Sequence, residues 1–192
     1  MQFMNNTNLF FTSDTHFGHN NIIKYCNRPF ADVEEMKEGL IENWNNKVPK
    51  DGTVFHLGDF AFGGFPFLES IVPRLNGEIY LILGNHDLKQ SFQNRERLLK
   101  LFKGVEYQMQ INVDGRLIYM THFPLLCYPD PTKNWALYGH VHSGPNSTGS
   151  DDSRLKFTYP NQYDVGVDNN NYTPISYTEL LEKINIRNGR AN

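Results

Sequence analysis

Several short apolar runs in this sequence end in residues that could bind a metal ion. Asp14 and His16 follow the run 9–13, and Asp59 follows the run 53–57. In an extended segment, residues two positions apart leave the chain on the same side, so we expect Asp14 and His16 to share one face. A carboxylate beside an imidazole is a suitable donor pair for a divalent transition metal. Either motif alone carries little weight.

The richest of these motifs is Gly84-Asn85-His86-Asp87, which follows the apolar run 79–83. Glycine would let the chain turn sharply out of a sheet. Asn85 offers an amide oxygen, and His86 offers an imidazole that can hold a proton near neutral pH. Asp87 could orient that imidazole. Asn and Asp are also ordinary turn formers, so this motif by itself would be interpreted as a turn.

Two further motifs of the same form occur later in the chain. His122 follows the run 116–120, and His140 and His142 follow the run 135–138. Five predicted strands therefore end in residues that could bind metal. Their repetition favours one shared metal site over a set of unrelated turns.

Three other residues near the early motifs need separate interpretation, and two of them have two interpretations. His19 could face the same cleft and contact a substrate, or it could form a hydrogen bond that stabilises its loop. Arg28 could hold an anionic substrate, although a surface ion pair is the simpler interpretation of a lone arginine. His56 lies inside a predicted strand, which indicates a buried histidine of the core.

The elements that must position these residues follow from hydrophobic spacing and capping signals. We predict helices at 20–25, 33–46, 67–72, 91–102 and 177–184. Capping boxes begin two of them, with Asp32 and Glu35 at the first and Ser176 and Glu179 at the second. Asp114-Gly115 predicts a hairpin turn between strands at 105–113 and 116–120. A late strand is predicted at 163–168.

Composition limits the class of protein. The 192 residues suffice for one domain with a substantial core, and we treat 1–192 as a single domain. The formal net charge of -3 predicts no strong nucleic-acid footprint. Cys26 and Cys127 do not form a metal-type pair, which suits a reducing compartment. No apolar run reaches the length of a membrane span, and residues 1–8 lack the apolar segment of a signal peptide. We therefore expect a cytoplasmic protein.

The ordered set of motifs resembles the calcineurin-like metallophosphoesterases of the purple acid phosphatase superfamily. It is most similar to the small single-domain members found in bacteria and phages. The motifs run from Asp14 to His142, which is most of the chain, and the core pattern is complete. The resemblance implies an α/β fold, a four-layer α-β-β-α sandwich with two mixed β-sheets.

The resemblance also implies two divalent metal ions. The first ion would be held by Asp14, His16, Asp59 and His142. The second would be held by Asp59, Asn85, His122 and His140, so that Asp59 bridges the pair. His86 would act as a general acid with Asp87 behind it, and His19 and Arg28 are candidates for substrate binding. Imidazole and carboxylate donors suit manganese, iron, nickel or zinc, and we favour manganese.

The function implied by the resemblance is hydrolysis of a phosphate ester, by in-line attack of a hydroxide that bridges the metals. We favour a phosphodiesterase because the sequence shows no dedicated basic cluster for a dianion. A phosphomonoesterase, a nucleotide pyrophosphatase and a non-catalytic protein-binding scaffold are the alternatives. We expect a small phosphoester or nucleotide as substrate, and its identity and the oligomeric state stay open. The polar segment 143–160 begins at His142 and is expected to border the site.

Overall fold

The computed structural model of this protein describes residues 8–87, 95–146 and 155–189. Its strands, in chain order, are β1 Leu9–Thr12, β2 Thr53–His56, β3 Glu78–Ile82, β4 Gly104–Glu106, β5 Gln108–Val113, β6 Arg116–Thr121, β7 Trp135–Tyr138, β8 Gln162–Asp164 and β9 Ile175–Ser176. Its helices are α1 Asn20–Tyr25, α2 Val33–Lys47, α3 Phe65–Ile71, α4 Arg95–Leu98 and α5 Tyr177–Arg187.

The strands form two sheets. The first has the order β4-β3-β2-β1-β9, in which β9 alone is antiparallel to its neighbour. The second has the order β5-β6-β7-β8, with β5 antiparallel to β6 and the other pairs parallel. The prediction of an α/β fold with two mixed sheets is confirmed.

The first sheet lies between two apolar clusters because its central strands are buried on both faces. Phe10 of β1 packs with Met36 and Leu40 of α2 on the helical side. Leu9 and Phe11, which point the other way, belong to the cluster between the sheets. The second sheet supplies the facing side chains of that cluster, which include Ile118, Met120, Trp135 and Leu137. The two sheets therefore pack face to face.

The outer face of the second sheet is covered by connecting segments. Tyr119 lies against Tyr128 with ring centroids 5.9 Å apart, and Tyr138 forms a hydrogen bond with Thr158. Between β6 and β7 the chain contains Pro124, Pro129 and Pro131, and proline disfavours a helical crossover. The helix α5 instead adds Tyr177, Leu180 and Ile184 to the cluster between the sheets.

Several predicted elements differ in extent from the observed ones. The strand predicted at 105–113 is divided into β4 and β5, which belong to different sheets. The late strand ends at Asp164, and a 3₁₀ turn follows at Val167–Asn169. Of the helix predicted at 91–102, residues 91–94 lie outside the described residues, Arg95–Leu98 are helical, and residues 99–102 form turns and a bend, so the helix ends four residues earlier than predicted. Across the described ranges, no helix has the length and apolar character that a bilayer span requires.

The predicted caps are observed, with one change of partner. Asp32 accepts hydrogen bonds from the amides of Glu34 and Glu35, each at 2.9 Å. The Glu35 carboxylate accepts from the amide of Ala31, one residue before the cap. Ser176 and Glu179 form the full reciprocal box at the start of α5. Both helices therefore begin where the sequence predicts.

Candidate active site

The site lies where strands of both sheets end. The turn after β1 is bonded to the turn after β2, because the amides of Asp14 and His16 donate to Gly58 O and Asp59 O at 2.9 and 3.0 Å. On the second sheet, the amide of Gly139 donates to His122 O at 2.9 Å. These backbone bonds align the strand ends within each sheet, and the amide of His140, which donates to the Asp14 carboxylate, joins the two sheets.

Two groups of side chains that could hold a metal ion meet there. In the first, Asp14 Oδ1 lies 3.9 Å from His16 Nε2 and 3.8 Å from His142 Nε2. In the second, donor atoms of Asp59, His122 and His140 all lie within 4.8 Å of one another. Two atoms that are each about 2.1 Å from one ion can be at most about 4.2 Å apart. The separations in the first group therefore leave room for an ion.

Asp59 stands between the two groups. Its Oδ2 atom is 3.6 Å from His16 Nε2 and 3.5 Å from His122 Nε2. Asn85 joins the second group, with its Oδ1 atom 3.0 Å from His122 Nε2. All seven side chains predicted to bind metal are thus brought together, and Asp59 lies between the two groups.

Most donors are fixed through one atom and face the site with the other. Asp14 Oδ2 accepts from the amide of His140 at 2.9 Å, which leaves Oδ1 toward the histidines. His122 Nδ1 donates to Leu57 O at 2.7 Å, which leaves Nε2 for a ligand. Asp59 Oδ1 accepts from the amide of His86 at 2.9 Å. Such anchoring sets the orientation of each donor before any ion binds.

Two of the inward-facing atoms are buried without a partner. Within the described residues, neither Asp14 Oδ1 nor His16 Nε2 has a hydrogen bond. A buried polar atom left unpaired costs about 1–3 kcal/mol. A carboxylate oxygen and an imidazole nitrogen are both transition-metal donors, so these residues fit a divalent ion at this position.

The electrostatics of the site also favour a cation. Burial opposes a charge on His142, but Asp14 and Asp168 beside it raise its pKa to about 11. Burial likewise opposes a charge on His122, but Asp59 and Asp14 raise its pKa to about 9. The carboxylates thus hold protons on nearby imidazoles. A metal ion would take the place of that positive charge.

The backbone turns sharply at five of the predicted ligands. The φ angles are 58° at Asp14, 50° at His16, 55° at Asp59, 70° at His140 and 47° at His142. The expectation that Asp14 and His16 share a face of an extended segment is wrong, since both are left-handed. Asp and His tolerate this region better than most residues, yet each such residue costs about 1 kcal/mol or more. The strain is concentrated where the donors must leave the strands.

Gly84 and Gly139 are needed for close approach. A Cβ atom at Gly84 would lie 2.2 Å from Asp59 Oδ1, and one at Gly139 would lie 2.3 Å from Asp14 Oδ2. Gly84 does not have a positive φ, so space for the Asp59 carboxylate explains this glycine better than the sharp turn expected from the sequence.

Arg28 is buried and bound to the protein. Its Nε and Nη2 atoms donate to the two oxygens of Asp168, each at 2.8 Å. It also donates to Asp14 O at 2.7 Å and Thr15 O at 2.9 Å. Asp168 Oδ2 in turn lies 2.8 Å from His142 Nδ1. The surface ion pair considered for Arg28 is wrong, and this geometry favours a role in positioning the first group over contact with a substrate.

His86 lies at the open side of the site. Its side chain is 35% exposed, and its Nε2 atom is 3.8 Å from Asp59 Oδ2. Asp87 does not sit behind the imidazole as expected. Its described hydrogen bonds come from the backbone amides of Gly84, Asp59 and Phe60. Burial raises the pKa of Asp87 to about 7, although the three amide hydrogen bonds act to lower it. Through these hydrogen bonds Asp87 joins the ends of β2 and β3.

His19 faces the same cluster as His16. The two Nδ1 atoms are 3.2 Å apart, and the His19 ring stacks on Phe62 with centroids 3.9 Å apart. Burial and the nearby His86 lower the pKa of His19. Both interpretations of His19 therefore stay open, because it stabilises its loop and also borders the site. The segment 143–160 follows His142 as expected, but residues 147–154 lie outside the described residues.

Sequence reasoning missed the two acids that hold the turn after β7. Asp168 orients His142, and Asp164 Oδ2 accepts from the amide and hydroxyl of Ser143. Burial and the nearby Asp14 raise the pKa of Asp164 to about 6. The sequence did contain a signal for these roles, because two acids lie inside the apolar run 163–168 and a buried acid needs a hydrogen-bond or charge partner. His56 is the core histidine that was predicted, and its Nε2 atom lies 3.0 Å from Thr15 Oγ1.

Comparison with known proteins defines the class. The family profile described as calcineurin-like phosphoesterase matches residues 7–169, so the chain belongs to that family. The family and the clustered donors define a metal-dependent phosphoester hydrolase that uses divalent ions.

Similar proteins cover nearly the whole chain. The uncharacterized protein MJ1445 of Methanocaldococcus jannaschii is 35% identical, over 91% of this chain and 92% of its own. The Gene 66 protein of Mycobacterium phage D29 is 29% identical, over 84% of this chain and 88% of its own. A solved structure of AQ665, a protein of unknown function from Aquifex aeolicus, has a TM-score of 0.65 at 26% identity and covers 90% of this chain and 96% of its own.

Proposed function

We propose that this protein is a phosphodiesterase that uses two divalent metal ions. The observation that carries the proposal is the position of Asp59, whose Oδ2 atom lies 3.6 Å from His16 Nε2 and 3.5 Å from His122 Nε2. A carboxylate between two sets of nitrogen and oxygen donors is what a pair of neighbouring ions requires. The unpaired atoms of Asp14 and His16 support the same conclusion.

The donors divide into two sets around Asp59. The first ion would be held by Asp14, His16, Asp59 and His142. The second would be held by Asp59, Asn85, His122 and His140. When bound, such ions activate water as a nucleophile and stabilise the negative charge of the phosphoryl oxygens. Manganese is favoured for the mixture of imidazole and carboxylate donors, with iron, nickel and zinc as alternatives.

His86 would supply the proton for the leaving oxygen. Its imidazole is partly exposed, and its own amide is fixed on Asp59 Oδ1 at 2.9 Å. A residue fixed beside the shared carboxylate and open to solvent can reach the ester oxygen of a bound phosphate. General acid help of this kind is worth about 10²–10⁴-fold in rate.

The surroundings of the site favour a diester over a monoester. A monoester at neutral pH carries close to two negative charges, and a free guanidinium is a common partner for it. Arg28, the arginine that lies near the early motifs, is buried and donates to Asp168, Asp14 and Thr15. Phe62 and Phe123 contact the site histidines instead. A singly charged diester with organic groups on both sides suits such walls.

The test is a metal reconstitution assay. Protein stripped with chelator is supplied separately with manganese, nickel, zinc or magnesium, and hydrolysis of bis(p-nitrophenyl) phosphate is compared with that of p-nitrophenyl phosphate. We expect no turnover without metal, restoration by manganese and a preference for the diester. Asp59→Asn should be inactive, while Asp51→Asn, at an exposed surface acid, should match the wild type. Turnover that survives removal of metal would refute the proposal, and a preference for the monoester would favour the phosphomonoesterase alternative.

A further inference from the structure

An apolar groove opens beside the second group of donors. It has a volume of about 770 Å³ and is lined by the segments 123–126 and 156–158 together with His140 and Val141. The Phe123 ring lies 4.6 Å from the His140 ring and 5.0 Å from the His122 ring, measured between centroids. The groove therefore begins at the second ion position.

A single buried glutamine joins the two walls of this groove. Gln162 is fully buried, and its Nε2 atom donates to Leu125 O at 2.8 Å on one side. Its Oε1 atom accepts from the amide of Tyr159 at 2.8 Å, directly after the other wall. Thr121 Oγ1 also donates to Phe123 O at 2.7 Å. The separation of the walls is thus set by buried hydrogen bonds.

The side chains on these fixed walls are exposed although they are apolar. Leu126 is 79% exposed, Phe157 is 74% exposed and Phe123 is 47% exposed. Apolar groups held open on a rigid backbone beside a catalytic centre are typical of a ligand subsite. Lys156 adds a cation to the lining, and it forms no ion pair with any other described residue.

We propose that this groove binds a flat aromatic group carried on one ester arm of the substrate, such as a nucleobase. The inference rests on the proposed function, since the phosphate of that substrate would lie at the donors of the second group. The faces of Phe123 and Phe157 offer stacking surfaces, which favour an aromatic ring over an alkyl chain. The charge of Lys156 complements the negative charge of a nucleotide.

The first experiment varies the ester arm and keeps the leaving group constant. The substrates are p-nitrophenyl phosphodiesters whose second arm is thymidine, phenyl, hexyl or methyl. We expect kcat/KM to be highest for the thymidine and phenyl arms. Phe157→Ala and Leu126→Ala should lower kcat/KM about ten-fold for those arms and leave the methyl diester unchanged. Ile186→Ala, at an exposed site on α5, should change none of the four.

Each other outcome has a defined meaning. Equal losses on all four arms, or losses on none, would overturn the proposal, and losses confined to the hexyl arm would assign the groove to alkyl chains. A loss of kcat/KM that is larger for the thymidine arm than for the phenyl arm supports a nucleobase site, and equal losses for these two arms support a general aryl site.

A second experiment is independent of turnover. Calorimetry compares phenylphosphonate with methylphosphonate, neither of which is a hydrolysable ester, on the manganese-loaded protein and on Phe157→Ala. Tighter binding of the phenyl compound, lost in the variant, supports the groove even if no diester is hydrolysed, in which case only the proposed function fails. Equal affinity for the two compounds contradicts the groove.

Discussion

Arg28 and Asp168 form a buried two-point ion pair, with Nε and Nη2 of the arginine 2.8 Å from the two carboxylate oxygens. Arg28 also donates to Asp14 O at 2.7 Å, and Asp168 lies 2.8 Å from His142 Nδ1. One arginine thus connects the backbone of the first donor in the chain with the imidazole of the last. The pair therefore positions Asp14 and His142, the two donors that would hold the first proposed ion.

Replacing Asp168 should therefore lower the affinity for one ion and leave the affinity for the other unchanged. In Asp168→Asn we expect the affinity for the first ion to fall about 10–100-fold, as is usual when the partner of a ligand histidine is changed. Isothermal titration of the metal-free protein with manganese should show one weakened and one unchanged binding event. Arg28→Lys, which loses the two-point contact, should show a smaller effect in the same direction.

The matched control for Arg28 is Arg74, which pairs with Glu38 at the surface. Arg74→Lys should bind both ions as the wild type does. Equal weakening of both ions in Asp168→Asn, or none in either, would show that the pair is only structural.

Gly84 should not tolerate a side chain. Because a Cβ atom there would lie 2.2 Å from Asp59 Oδ1, Gly84→Ala must displace the Asp59 carboxylate. We expect a loss of about 1–3 kcal/mol in the free energy of unfolding and a loss of bound metal. Gly64→Ala, where the nearest atom is 3.6 Å away, should keep its metal and lose less stability. Denaturant unfolding and elemental analysis of the two variants decide between these outcomes.

His86→Ala should keep both ions and lose activity according to the leaving group. A nitrophenolate leaves readily without a proton, whereas an alkoxide does not. The loss should be modest on a nitrophenyl diester and nearer the 10²–10⁴-fold expected of a general acid on an alkyl or nucleoside diester. Rates on both substrates and metal content are measured in the same preparation. Equal losses on both, with chemistry limiting the rate, would remove His86 from this role.

His56 predicts how stability depends on pH. Its Nδ1 atom accepts from the amide of Gly58, and burial lowers its pKa to about 3. The unfolded chain, with a pKa near 6.5, therefore takes up a proton before the folded protein does as the pH falls. The contribution of neutral His56 to the free energy of unfolding is fully present above pH ~6.5 and declines toward pH 3. The decline is about 1–2 kcal/mol between pH 6.5 and 5.

His56→Gln provides the comparison, because glutamine cannot take up a proton in this range. The difference in unfolding free energy between wild type and variant should shrink as the pH falls from 7 to 5. A difference that stays constant would mean that His56 does not titrate as described.

The family resemblance, carried by the order of the motifs, implied the two sheets and the seven donors that cluster in the structure. Each donor follows a strand, and strand ends can be located from a single sequence. The way in which Asp14 and His16 converge could not be predicted, because it depends on left-handed φ angles that neighbouring strands impose. The ion-pair partner of Arg28 could not be predicted either, because Asp168 lies 140 residues further along the chain.

The division of the predicted strand 105–113 has a similar cause. Apolar spacing cannot reveal that β4 pairs with β3 of one sheet while β5 pairs with β6 of the other. Only the packing of the two sheets determines where the chain crosses between them. The role of Asp87 could not be predicted for the same reason. Its position next to His86 in the sequence suggested a contact with the imidazole, whereas its carboxylate accepts hydrogen bonds from three backbone amides.

The most direct test of the account is the number of manganese ions bound per chain and their magnetic coupling. Electron paramagnetic resonance during a manganese titration should show two ions per wild-type chain with a spin-coupled signal. Asp59→Asn should lose the spin coupling and bind both ions more weakly, whereas His142→Ala should bind only one ion more weakly. A wild-type protein that binds a single uncoupled ion, or an Asp59→Asn variant that keeps a coupled pair, would contradict a centre built around Asp59.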